Sequence, residues 1–184
     1  MLKQIESVVR ELIKNGYKPS DIVLMGDSAG GTLAISTAHN LTSASIRLGG
    51  VILLSPWVDL SFQCDSSAAA IQYEDPVLRR KNYLEVAVNL VIEPGYDVTS
   101  YPLNPHTLTY TSAFPPVLIQ FGTVDILKNQ IELFCNKLTK EGVTVEIDRY
   151  KGMWHVFQSS NPELPESRAA RNVIKGFVYK YLKL

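Results

Sequence analysis

The chain has 184 residues, 46% of them hydrophobic and 20% charged, with acidic and basic side chains equal in number. This composition suits one folded domain with a sizeable core, and the zero formal charge offers no electrostatic footprint for nucleic acid or another polyanion. Its two cysteines, Cys64 and Cys135, form neither a disulfide framework nor a metal-ligand spacing, and no apolar run is long enough to span a membrane.

Leu2, Ile5, Val8, Val9, Leu12 and Ile13 recur on one face of a helix whose other positions carry Lys3, Glu6, Arg10, Glu11 and Lys14. Those charges exclude a secretory signal peptide, and Asn15-Gly16 ends the helix. Ile22 to Met25 is apolar on both faces, as a buried parallel strand is, and the Ala- and Leu-rich stretch from Ala29 to Leu41 reads as a helix. Buried strands recur at Gly50 to Leu54, Pro116 to Phe121 and Val143 to Ile147. Helices follow from Lys128 to Glu141 and around Ala169, Val173, Ile174, Phe177, Val178, Tyr181 and Leu182. This alternation predicts an α/β fold, a mostly parallel sheet of about four strands flanked by helices. Residues 61–114 break the rhythm with Pro76, Pro94, Pro102 and Pro105 and one helix-like piece near residues 77–92. They are expected to form a cap-like insertion.

Gly26-Asp27-Ser28-Ala29-Gly30 matches Gly-x-Ser-x-Gly, with a strand before it and a helix after it. A strained turn of this kind lifts a serine hydroxyl above the sheet. Glycines at Gly26 and Gly30 avoid the collisions that side chains would cause there. The backbone N–H of Ala29, at the helix N-terminus, can donate to a developing oxyanion. Small residues could also serve only close strand-to-helix packing, and the spacing is not that of a dinucleotide-binding turn.

A serine nucleophile needs a histidine base, and the base needs an acid to orient it. His39, on the helix after the serine, reads as a helix-end residue, and His106 reads as a loop residue of the insertion. His155 follows the fourth strand in Lys151-Gly152-Met153-Trp154-His155-Val156-Phe157, at the strand end where functional loops gather, and is the expected base. Asp125, after the third strand, is the preferred acid, with capping of the next helix as its structural alternative. Asp59, after the second strand, is expected to fix its own loop, and Asp27 to be structural. Trp57, Tyr73 and Tyr101 could line an apolar substrate pocket or simply pack the core. Trp154 and Val156 flank the base and are candidate pocket residues.

The segments GDSAGG, LLSPWVDL, PPVLIQFGTVDIL and GMWHVF occur here in one order. Together they resemble the hormone-sensitive-lipase branch of the α/β-hydrolases, with a closer similarity to steryl acetyl hydrolases. That resemblance implies a carboxylic ester hydrolase with nucleophile Ser28, acid Asp125 and base His155. It implies a small apolar ester as substrate and no metal or organic cofactor. The family's His-Gly-Gly-Gly-type loop, which adds oxyanion donors, does not occur in these residues. The expectation is therefore an N-terminally truncated fold, residues 1–184 forming its C-terminal portion, weak in activity and open to association through an uncovered edge at Ile22 to Met25. The alternative is a non-catalytic ligand-binding or interaction protein on the same scaffold. Compartment stays open between cytoplasmic and, given an upstream targeting segment, membrane-associated or lumenal.

Overall fold

The structure is a computed structural model that describes residues 1–61, 64, 75–78, 83–91, 95–99 and 104–183, with the backbone alone at 89 and 91. Four strands, β1 (Val23–Asp27), β2 (Gly50–Leu54), β3 (Val117–Gly122) and β4 (Val145–Tyr150), form one sheet in the order β1-β2-β3-β4. Every pairing is parallel, with Leu24 opposite Val51, Ile52 opposite Leu118 and Ile119 opposite Ile147. The helices are α1 (Leu2–Lys14), α2 (Ala29–Ser43), α3 (Glu85–Val91), α4 (Lys128–Lys140), α5 (Phe157–Ser160) and α6 (Pro165–Leu182).

All of β2 and β3 is buried, as central strands covered on both faces must be. Successive side chains alternate between two apolar layers. Val51, Leu53, Ile119 and Phe121 pack with α2 and α4 through Ile35, Leu41, Ile131, Phe134 and Leu138. Ile52, Leu54 and Leu118 pack instead against Phe177 of α6. Gly50 admits that ring, since a Cβ there would lie 2.8 Å from Phe177 Cε1.

Element ends shift from the sequence reading for local reasons. β4 begins at Val145 rather than Val143, because the Val143 N–H bonds back to the Leu138 carbonyl and Gly142 turns the chain at φ 82°. β3 begins after Pro116, which has no N–H for the ladder. Val8 is exposed, so α1 packs on Val9, Leu12 and Ile13. Within residues 61–114, the helix-like piece appears as α3, residues 85–91.

Cys135 is a buried free thiol. Burial pushes the Cys135 thiol up to about 12, aided by the neighbouring Glu132 charge. Among the described residues no helix is long and apolar enough to cross a membrane. Phe134 is fully buried between α4 and the sheet, so Phe134→Ala should lower stability by about 3–5 kcal/mol, read from urea unfolding midpoints.

Candidate active site

The loops after β1, β2, β3 and β4 meet at one rim, the C-terminal ends of parallel strands. Ser28 leaves β1 with φ 50° and ψ −121°, backbone that glycine adopts far more readily than serine. A serine just before a helix ordinarily caps it. The Ser28 side chain makes no such capping bond to α2. The half-buried residue is held through its backbone. Its N–H donates to the Leu54 carbonyl at 3.0 Å, and its carbonyl accepts from Gly31 at 3.0 Å and Trp57 at 2.9 Å.

Two glycines permit this turn, and they are not quite the expected pair. A Cβ on Gly26 would sit 2.1 Å from the Gly30 carbonyl oxygen, and one on Gly31 would sit 2.7 Å from Pro56 Cβ. A Cβ on Gly30 would meet nothing nearer than 3.7 Å. The steric need on the helix side therefore falls at Gly31, where α2 crosses the loop after β2.

Asp125 follows β3 and is fully buried. Its Oδ1 lies 3.2 Å and its Oδ2 3.3 Å from Nδ1 of His155. Oδ1 also accepts the Leu127 N–H at 2.9 Å, so this carboxylate fixes its own turn while it faces the ring. A carboxylate at Nδ1 favours the tautomer protonated there and leaves Nε2 as the basic nitrogen. His155 is itself buried, 7% exposed.

The loop that carries His155 is laced to its neighbours. Met153 accepts from the Val124 N–H at 3.1 Å, and the Gly152 N–H donates to Thr123 Oγ1 at 2.9 Å. A Cβ on Gly122 would lie 1.8 Å from the Met153 carbonyl oxygen, so only glycine lets this loop cross the end of β3. Val156 is left-handed at φ 50°, and its N–H donates at 3.0 Å to Oγ of Ser55, itself at φ 46°. The His155 N–H donates to Asp75 Oδ2 at 3.2 Å. Ser55 and Asp75 both escaped the sequence reading. Asp75-Pro76 carries the signature of a side-chain-closed turn, but its long-range partners have no sequence signal.

The remaining candidates divide clearly. Trp57 is buried, donates from its indole to the Asp59 carbonyl at 3.0 Å, and lines an apolar cavity of about 160 Å³ with Ala29, Leu33, Leu60, Ala87 and Val88. Trp154 is half-buried and donates to Ser160 Oγ at 2.9 Å. Tyr73 and Tyr101 lie outside the described residues. His39 Nε2 meets the Thr109 carbonyl at 3.0 Å, and His106 packs on Phe134, where burial lowers its pKa. Asp27 is exposed. Asp59 is buried and gathers donors from its own loop and from residue 104: Ser61, the Cys64 N–H at 2.8 Å and Asn104 Nδ2 at 3.0 Å. Burial pushes its pKa up, but the bonds from Ser61 and Cys64 outweigh this and hold it below the usual carboxylate value.

A strained serine turn and a buried His–Asp pair at one rim of a parallel sheet define the hydrolase class of α/β protein. Residues 1–159 match the family described as alpha/beta hydrolase fold. The chain belongs to that family, in its hormone-sensitive-lipase-like branch. An esterase of Acinetobacter venetianus is 32% identical, the match covering 90% of this chain and 54% of the relative. The crystal structure of EstE5 superposes with a TM-score of 0.89 at 23% identity, over 100% of this chain and 61% of that one. An esterase from the bacterial hormone-sensitive lipase family gives 0.82 at 27% identity, covering 94% and 57%. The likeness to a Schizosaccharomyces pombe protein named for steryl acetyl hydrolysis is more distant, 26% identical over 74% of this chain. The chain spans about half the length of the curated relatives it matches.

Two outcomes follow from this geometry. An acid whose folded pKa is depressed stabilises the fold above its unfolded value near 3.9 and loses that effect as pH falls through the folded value. Asp59→Asn should therefore lower the urea midpoint at pH 7, with the deficit shrinking below about pH 4. Gly122→Ala should destabilise by about 2–3 kcal/mol, measured in the same way, because the Cβ collides with backbone rather than a movable side chain.

Proposed function

We propose that this chain carries the catalytic centre of a serine carboxylic ester hydrolase acting on small apolar esters. The main support is the buried Asp125–His155 pair at the rim where Ser28 stands free of capping duty. Leu54 and Ser55, consecutive residues, bind the Ser28 N–H and the Val156 N–H respectively, which ties the nucleophile's turn and the base's loop to one short segment.

In this mechanism Ser28 Oγ attacks the ester carbonyl carbon while His155 Nε2 takes the hydroxyl proton. Asp125 holds the ring through Nδ1 and stabilises the imidazolium. The Ala29 N–H donates to the oxyanion. Collapse breaks the bond to the alcohol, which leaves with the proton from His155. Water then attacks the acyl-serine, again giving its proton to His155, and the acid departs as Ser28 regains a proton. The cavity beside Ala29 and Trp57, about 160 Å³, is comparable to an apolar cavity of about 150 Å³ that holds benzene. It suits an acyl or alcohol group of that scale.

Ala29 supplies one oxyanion donor, and the His-Gly-Gly-Gly-type loop that supplies others in the family does not occur in this sequence. Loss of one such donor costs about a hundred- to a thousandfold in turnover, so turnover by this chain alone is expected to be weak. The outer edge of β1, where Met25 is 54% exposed, is the surface we assign to association with a chain bringing further donors. A fluorophosphonate probe tests the central claim. Covalent labelling at Ser28 is expected, abolished in Ser28→Ala and slowed at least about a hundredfold in His155→Ala. A folded chain that binds apolar esters without labelling would instead favour a non-catalytic binding role.

A further inference from the structure

Asp75 is a buried carboxylate, 1% exposed, that the triad chemistry does not use. It sits in the insertion, yet its two oxygens face different parts of the molecule. Oδ1 accepts the N–H groups of Val77 at 2.9 Å and Leu78 at 3.0 Å, closing a local turn. Oδ2 accepts the N–H of Ile126 at 3.1 Å and that of His155 at 3.2 Å. One side chain thus joins the insertion to the residue after the acid and to the base itself. Four donors meet an acceptor with about four lone-pair sites, which no neutral side chain of this size can match.

The backbone of His155 is gripped from both sides, by Asp75 at its own N–H and by Ser55 at the next. We propose that Asp75 is a positioning residue for the triad, aligning His155 with Asp125 through its bonds to the Ile126 and His155 N–H groups. Residues 75–78 then contribute to the catalytic geometry through these bonds. Without Asp75 the buried N–H groups of Ile126 and His155 would lack their acceptor, and both loops would shift to find another. This inference rests on the triad reading above.

Asp75→Ala removes both oxygens of the clamp, so the N–H groups of Ile126 and His155 lose their acceptor whichever way the local turn responds. We expect unchanged far-UV circular dichroism and a maximal rate of fluorophosphonate labelling at Ser28 about ten- to a hundredfold lower. The probe concentration for half-maximal rate should stay within about twofold, since positioning acts on the step and not on uptake. In a His155→Ala background the same substitution should cost nothing further. Labelling at the wild-type rate, or an equal loss with and without His155, would overturn the proposal. Should the variant fail to fold, amide hydrogen exchange of the unaltered chain decides. The Ile126 and His155 amides should exchange as slowly as those of β3, and rapid exchange at either refutes the clamp. Absence of Ser28 labelling in the unaltered chain would count against the triad reading, while the exchange measurement still judges Asp75.

Discussion

A carboxylate and an imidazole 3.2 Å apart, both shielded from water, require that the loops after β3 and β4 keep a fixed separation. Lateral strand pairing supplies the first part of that constraint. Gly122 stands opposite Tyr150 in parallel register, so the two loops start level with each other. Backbone lacing between residues 122–124 and 150–153 supplies the rest. The absent Cβ at Gly122 is what allows the loops to approach closely enough for that lacing. The pair is therefore a property of the sheet's end as much as of two side chains.

The rim holds strained backbone. Ser28, Ser55 and Val156 all have positive φ, each costing on the order of 1–3 kcal/mol. None of the three is glycine, and Val156 is β-branched. Such conformations persist only where surrounding structure over-determines them, and here the bonds between β1, β2 and the His155 loop do so. Stability comes from the two apolar layers around β2 and β3, while the strain collects where the chemistry is proposed. Core and site thus divide the sheet along the strand direction.

The sequence revealed this architecture unevenly. β2 was legible to the residue because central parallel strands are uninterrupted apolar runs. The serine turn was legible because its glycines and flanking elements are local. The preference for Asp125 over Asp59 required knowing which strand neighbours β4, and the consecutive strand order puts Asp125 on that neighbour. Asp75 was invisible because its role depends on bonds reaching 51 and 80 residues along the chain. Assigning tightness to Gly30 failed for a similar reason, since the collision at Gly31 is with Pro56, a contact that only the fold creates.

The two edges of the sheet are built on different physical terms. β4 carries Glu146, Asp148 and Arg149, which pair with Lys180, Tyr150 and Glu132. Such charged, satisfied side chains discourage further strand addition. β1 reads Val-Leu-Met-Gly-Asp and exposes Met25 with no charge before Asp27. Beside it runs a cavity of about 250 Å³ lined by Met25, Gly26, Asp27 and Gln158. Gln158 is 3% exposed, and among the described residues neither its side-chain nitrogen nor its side-chain oxygen has a hydrogen-bond partner. A buried unsatisfied amide is costly, and it adds to the strain that collects at this end of the sheet. The same edge ends one residue before Ser28, so the exposed apolar strand runs directly into the strained serine turn.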